Sequence, residues 1–295
     1  MKWDFASVTK WGLDQEGPTG QNMFDLAVVE LANRLGGTIE SAAPMNGYKL
    51  AVQIVRDGGK LLVCQTGGAG SAKGSSQFIA ASTAAEVYPV LKEMFPRHSV
   101  SRLDACEDYS GEGTWDKLEA MLTQVCGQFG VSMSPFGEGH MRPDGTRDAT
   151  KGRSWYAGSP SSPVRAVLYE KGMQLLAQGI PADPTMVRLE IRVRPSSKAK
   201  EMVGTYDLKP ADILGFSRWT QAIGEYMGYQ DLQRIAIGSV WNPSQQEKLC
   251  LKIVRMFDRG IDEMIKAYPP EEIGRMLCKI HKQNREATEA LKAIA

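Results

Sequence analysis

Apolar positions recur at two spacings along this chain, every second residue and every third to fourth, and the changes between them lay out the elements. Residues 21–35 read as an amphipathic helix stopped by Gly36-Gly37. Strands are predicted at about 47–56 and 60–66, joined by the hairpin turn Arg56-Asp57-Gly58-Gly59. Gly67–Gly74 reads as a flexible loop. A helix at 83–95, capped by Ser82 or Thr83, leads into a strand His98–Tyr109 and a helix over about 114–129. The stretch 134–153 is rich in Gly, Pro and charge and reads as a loop. Strands follow near 153–158 and 163–171, then a connector containing Pro181 and Pro184, then a strand at 186–195. From about 197 onward the spacing is helical, with segments near 210–227, 243–267 and 270–293.

Each half runs hairpin, crossover, then a strand that opens Arg-Leu-acid: Arg102-Leu103-Asp104 and Arg188-Leu189-Glu190. Duplicated modules of this kind set the two acidic strands side by side in one sheet. The expected fold is therefore α+β: a central, mostly antiparallel sheet of two similar modules with helices on one face, plus a helical C-terminal region. The corresponding domains are 1–205 and 206–295.

Composition narrows the class. The chain has 295 residues, 42% hydrophobic and 23% charged, which is ordinary for a globular protein. A net charge of +1 leaves any attraction for nucleic acid to local clusters. Cys64, Cys106, Cys126, Cys250 and Cys278 form no CxxC pair and no zinc spacing, which points to reduced thiols. The N-terminal residues lack the apolar run of a signal peptide and no segment is long and apolar enough to cross a bilayer, so a cytoplasmic location is expected, with no membrane partner.

Candidate chemistry gathers on three strands. In the strand 164–171, alternation places Arg165, Tyr169 and Lys171 on one face and Val164, Ala166 and Leu168 on the other. Asp104, Cys106 and Asp108 share a face of the first acidic strand, and Arg188, Glu190, Arg192 and Arg194 share a face of the second. Half-buried carboxylates are costly unless they bind a cation or pair with arginine. With both acidic strands beside 164–171, Asp104 and Glu190 are placed to hold Mg²⁺ or Mn²⁺ near Tyr169, whereas the plainer alternative is a ladder of salt bridges. A strand tyrosine ordinarily packs, and a phenol with a pKa of about 10 needs activation before it can attack. Chemistry alone leaves Tyr156 and Tyr109 open as alternatives.

Other motifs carry less. The loop 67–74 lacks Gly-Lys-Ser/Thr and does not fit GxGxxG, so it is no phosphate cradle. His98, His140 and His281 form no metal-binding pair. Positive charge clusters at Arg142, Arg147, Lys151 and Arg153, and again at Arg188, Arg192, Arg194, Lys198 and Lys200. Trp155 and Tyr156 lie between these clusters, where aromatic rings can stack on unpaired bases.

At these residues the chain resembles the replication initiation factor family of rolling-circle plasmids and filamentous phages. The resemblance rests on Trp155-Tyr156-Ala157-Gly158-Ser159, Arg165-x-x-x-Tyr169-x-Lys171, Val187-Arg188-Leu189-Glu190-Ile191 and Arg102-Leu103-Asp104-x-x-x-Asp108, in that family's order along residues 98–195. It implies a replication initiator that nicks and rejoins origin DNA through a 5′-phosphotyrosine bond. Tyr169 is then the nucleophile, assisted by Lys171 and Arg165, with Asp104, Glu190 and more weakly Asp108 as ligands of Mg²⁺ or Mn²⁺. Arg153, Trp155, Tyr156, Arg188, Arg192 and Arg194 would contact the DNA. A host polymerase and helicase are the implied partners, with a homodimer through the C-terminal helices. Two departures stand out. Arg192 occupies a position where members often carry a second acid, and Arg165 lies four residues before the tyrosine rather than two. A non-catalytic origin binder or repressor on the same fold, and a hydrolytic metal-dependent nuclease, are the competing expectations.

Overall fold

The computed structural model describes residues 1–16, 22–136, 152–235, 260 and 263–294. They fall in two units, Met1–Val240 and Trp241–Ala295. The first is built on one ten-stranded sheet whose paired strands all run antiparallel: β1 (Lys2–Trp11), β2 (Thr38–Ser41), β3 (Leu50–Arg56), β4 (Gly59–Thr66), β5 (Ser75–Ala81), β6 (Ser99–Tyr109), β7 (Met133–Phe136), β8 (Ser154–Ala157), β9 (Val164–Tyr169) and β10 (Val187–Val193). Their order across the sheet is β2-β3-β4-β5-β1-β6-β10-β9-β8-β7. An α+β architecture with the two acidic strands β6 and β10 side by side is what the sequence led one to expect.

The helices are α1 (Met23–Leu35), α2 (Ala84–Met94), α3 (Thr114–Phe129), α4 (Lys171–Ala177), α5 (Lys200–Thr205) and α6 (Arg218–Tyr226), with α7 (Pro270–Ile294) in the second unit. In α1 the spacing of Phe24, Ala27, Val28, Leu31 and Leu35 gives one buried stripe. The Asn22 side chain accepts from the Phe24 N–H at 2.9 Å, and Gly36 closes the helix at φ 62°. Together with α2, α3, α5 and α6 this stripe covers one face of the sheet, where Ala6, Val8, Phe78, Leu103, Leu189 and Leu168 form a continuous core. The other face is polar and carries the candidate site. Among the described residues no helix is long and apolar enough to cross a membrane. Cys64, Cys106, Cys126 and Cys278 are free thiols.

Several elements differ from the sequence reading. Strand β1 occupies the middle of the sheet, between β5 and β6, yet its alternation is broken by register shifts between Trp3 and Phe5 and between Ser7 and Val8. Such bulges hide a strand from a period-of-two search. Residues 75–81 form β5 and Thr38–Ser41 forms β2, two strands the spacing does not predict, and β7 overlaps the start of the expected loop 134–153. Strand β9 ends at Tyr169, and Lys171 begins α4, so Lys171 does not share the strand face with Arg165 and Tyr169. The predicted helix 210–227 is a 3₁₀ turn, Pro210–Phe216, followed by α6, with the Ser217 hydroxyl capping the break at 3.2 Å from the Thr220 N–H. Ile213, Leu214, Phe216 and Ile223 are buried in the sheet's core, so the expected boundary at residue 205 falls inside the first unit. The helix expected at 243–267 lies largely outside the described residues, as do Arg142, Arg147 and Lys151.

Helix α5 seats against the start of β6 through a glycine. A Cβ built on Gly204 would stand 1.9 Å from the His98 carbonyl oxygen. Gly204→Ala should therefore push α5 off the sheet and lower stability by about 1–3 kcal/mol, read as a lowered thermal midpoint. An unchanged midpoint would contradict this packing.

Candidate functional site

Register fixes which side chains meet on the polar face. Between β6 and β10, Asp104 stands opposite Arg192, Cys106 opposite Glu190 and Asp108 opposite Arg188. Between β10 and β9, Arg188 stands opposite Tyr169, Glu190 opposite Val167 and Arg192 opposite Arg165. Strand β8 adds Ser154 and Tyr156, opposite Tyr169 and Val167. Directly paired residues share a face. Asp104, Glu190, Asp108, Arg188, Arg192, Arg165, Tyr169 and Tyr156 therefore all lie on one surface. Helix α4 stands on this same side, an exception to the expected one-sided layer of helices. Its Met173 and Gln174 wall a cavity of about 460 Å³ whose floor includes Tyr156, Tyr169 and Arg192.

At the centre are two buried carboxylates. Asp104 is 0% exposed and Glu190 3%. Arg102 grips both oxygens of Asp104, its Nε at 2.9 Å from Oδ1, while its guanidinium lies 4.3 Å over the Phe5 ring. Arg192 donates to Glu190 at 2.6 Å and stands 3.9 Å from Asp104. Burial pushes the Asp104 carboxyl up to about 7, against the pull of Arg102 and with the added repulsion of Glu190. Burial also works to raise Glu190, but Arg192, helped by Asp104 and Arg102, outweighs it and holds that carboxyl below its usual range. A proton bound by this pair thus resides on Asp104.

Arginines outnumber acids here. Arg165 donates to the Gly158 carbonyl at 3.2 Å and lies 5.1 Å over the Tyr156 ring. Burial first and Arg192 second lower its pKa; burial and Arg102 do the same to Arg194, which is exposed just past the end of β10. Four guanidiniums thus surround two carboxylates, and a phosphate would relieve the excess.

Arg188 ties three strands together. Its Nε and Nη2 donate to Asp108 at 2.5 and 2.8 Å, and its Nη1 donates to Asp4 at 2.6 Å. The irregularity of β1 between Trp3 and Phe5 falls at Asp4. Lys2 adds a 3.0 Å contact to Asp108. Beside this clamp lies the half-buried phenol of Tyr169. Burial raises its pKa and Glu190 raises it further, while Arg188 acts in the opposite direction. Lys171, from α4, places its Nζ 5.9 Å from the Tyr169 ring and donates to Gln174 at 3.0 Å.

The structure does not gather every candidate. Asp108 is on the right face but is held by Arg188 and Lys2, away from the Asp104–Glu190 pair. Trp155 faces the helices, opposite Leu168, and packs against the core, so it cannot stack on a strand laid over the polar face. Tyr109 also packs on that covered side. Arg153 sits at the cavity rim, locked to Glu170 at 2.8 and 2.9 Å and stacked 4.3 Å over Trp115. The sequence reading passed over Asp4, Phe5 and the grip of Arg102 on Asp104, although Arg102 and Asp104 are two apart and so share a strand face.

A divalent cation was implied by the family resemblance, and the residues fit it. Asp104 and Glu190 are hard oxygen donors on adjacent strands, each already held by a guanidinium that would have to yield an oxygen to the ion. Two carboxylates supplemented by water and phosphate oxygens are a common set for Mg²⁺. Among the described residues no third acid, cysteine or histidine joins them.

The clamp is open to direct test. Arg188→Ala leaves Asp4 without its guanidinium and Asp108 with Lys2 alone on a half-buried strand face, and should cost about 3 kcal/mol in urea unfolding at neutral pH. A loss under about 1 kcal/mol, the range of surface ion pairs, would contradict its role.

No protein-family model matches the chain, and neither does any curated protein sequence. Among solved structures, the rolling circle replication initiator protein from Geobacillus stearothermophilus is similar in backbone course, with a TM-score of 0.47 and 16% identity, covering 80% of this chain and 98% of that one.

Proposed function

We propose that the polar face of β6, β10 and β9 nicks and rejoins one DNA strand, as the initiator of rolling-circle replication at an origin. The observation that carries this reading is the placement of Tyr169, a half-buried phenol neighbouring Glu190 and Arg188 on a face where guanidiniums exceed carboxylates. A bulk of cations around two acids suits a phosphodiester, and a phenol beside them suits covalent attack on it.

In this mechanism the Tyr169 oxygen bonds to phosphorus and the bond from phosphorus to the 3′ oxygen breaks. The products are a 5′-phosphotyrosine and a 3′-hydroxyl, which takes a proton from solvent as it leaves. The phosphodiester energy is kept in the covalent link, so reversal rejoins the strand. The phenol must lose its proton during attack, and its raised pKa makes that step costly. The proton passes to water in the cavity that Tyr169 lines. Arg188 steadies the developing phenolate, while Arg165, Arg192, Arg194 and Lys171 offset phosphate charge. Asp104 and Glu190 would hold Mg²⁺ or Mn²⁺, which supplies Lewis-acid polarisation of the phosphate. Tyr156, with Arg165 above its ring, is the aromatic surface available to a neighbouring base.

On this reading the substrate is a supercoiled, hairpin or single-stranded nick site. A host polymerase extends the free 3′ end while a host helicase opens the duplex, and α7 serves DNA binding or dimerisation.

The test uses supercoiled plasmid carrying the native origin, with Mg²⁺ or Mn²⁺ and then with chelator. Nicking and a protein–DNA adduct that survives denaturation are expected, both lost in Tyr169→Phe by a factor of at least about 10³, the scale of removing a nucleophile. An adduct formed by Tyr169→Phe would overturn the assignment. Nicking without adduct would indicate a hydrolytic nuclease, and tight binding without nicking a repressor-like origin binder.

A further inference from the structure

The strand order is symmetric about the boundary between β1 and β6, so that β5 answers to β10, β4 to β9, β3 to β8 and β2 to β7. The chain order agrees. In each half a long strand leads through a helix to three successive strands, a short helical turn and a return strand. A two-fold axis through the pairs Phe5–Asp104 and Ser7–Arg102 exchanges them, which sets Ser7 where Asp104 stands in the other half. The pair Thr9–Gln77 then answers to Cys106–Glu190, and Trp11–Ser75 to Asp108–Arg188. Because Gln65 pairs with Gln77 as Val167 pairs with Glu190, Gly67 falls in the place of Tyr169.

The first half therefore presents the same face without the acids and without the phenol. Its Gln77 donates to Ser7 Oγ at 2.9 Å, the neutral counterpart of the Asp104–Glu190 pair. Gln77 Oε1 accepts from Gln65 at 2.6 Å and from Asn46 at 3.1 Å, which makes a fixed amide floor. Over it opens a cleft of about 610 Å³ bordered by Thr9, Trp11, Tyr48, Ser101 and Lys198. Thr9 and Ser101 hydroxyls lie 3.3 Å apart and Tyr48 meets Ser75 at 3.0 Å; each can turn its hydroxyl toward a ligand as donor or acceptor. Trp11 is 53% exposed at the rim. Lys198 and Lys200 outnumber Glu201 there.

We propose that this cleft is a binding subsite for an unpaired nucleobase of the strand that runs to the nick site. Trp11 stacks on the base, hydroxyls of the wall meet its edge and the two lysines meet its phosphate. The proposal rests on the nicking reading for the identity of the ligand. It adds a division of labour: one half of the duplicated sheet does chemistry, and the other holds the strand. An indole offered to solvent above a neutral hydrogen-bonding floor suits a base, whereas a bare phosphate or a metal would call for charge in that floor.

The test measures anisotropy of a labelled mixed-sequence single strand and of the matching duplex, with the full chain carrying Tyr169→Phe to prevent cleavage. Adding Trp11→Ala should weaken single-strand binding about tenfold, the order of one lost base stack, and leave duplex binding unchanged. Adding Trp11→Phe should restore most of the affinity. Adding Lys198→Ala and Lys200→Ala should flatten the salt dependence of single-strand binding. Equal single-strand affinity for Trp11→Ala and its parent would overturn the subsite, and so would equal weakening on duplex. Adduct formation by the protein with Tyr169 intact is scored separately. A Trp11-dependent single-strand affinity without any adduct removes the nicking reading and leaves the subsite. An adduct with no Trp11 effect does the reverse.

Discussion

Two carboxylates sit in the middle of a β-sheet, and what surrounds them is arranged to tolerate their burial. Asp104 and Glu190 are on adjacent strands, almost without solvent, and each bare charge there would cost several kcal/mol. Arg102 and Arg192 offset that cost from the same strands, two residues away in each case. The compensation is incomplete, as the reluctance of Asp104 to ionise shows. A hydrophobic pair would stabilise such a sheet at least as well, so stability alone does not account for the acids. Of the two acidic strands only β10 borders β9, so Glu190 lies one strand from Tyr169 and two residues along. Asp104 lies two strands away in the row of Arg192 and Arg165, not beside the phenol as expected. The acids are intelligible if a phosphate laid along this face spans the distance between them.

The other half of the sheet solves the same packing problem without charge. Ser7 and Gln77 occupy the positions of Asp104 and Glu190 and satisfy each other by a hydrogen bond. No arginine is needed there, and Ile79 stands opposite Ser7 as Arg192 stands opposite Asp104. The contrast separates what the fold requires from what chemistry requires. Both halves need the strands, the helical layer and a polar floor; the second alone among the described residues carries acids, guanidiniums and a phenol together.

Much of this was legible in the sequence. Period-of-two alternation in 99–109, 164–169 and 187–193 gave the right faces for Asp104, Tyr169 and Glu190, and the shared Arg-Leu-acid opening placed β6 against β10. The true repeat has a different phase, relating β6 to β1, because β1 is disguised by its bulges and the equivalents of Asp104 and Glu190 are Ser7 and Gln77. Lys171 was misplaced by two residues of strand. The Gly172 N–H donates to the Met186 carbonyl at 3.0 Å, a tertiary contact that local spacing does not encode. Trp155 was assigned to the DNA side beside Tyr156, although alternation puts neighbours on opposite faces and sends its ring to the core. Asp4 escaped notice because only a bulge sets it beside Arg188.

On the proposed mechanism one phenol, and no other group, carries the cut strand. Proteolysis of the covalent protein–DNA complex, followed by mass spectrometry of the nucleotide-bearing peptide, tests it most directly. A phosphodiester-linked nucleotide is expected on Tyr169. Attachment at Tyr156 or Tyr109, or nicked DNA with every tyrosine unmodified, would contradict it.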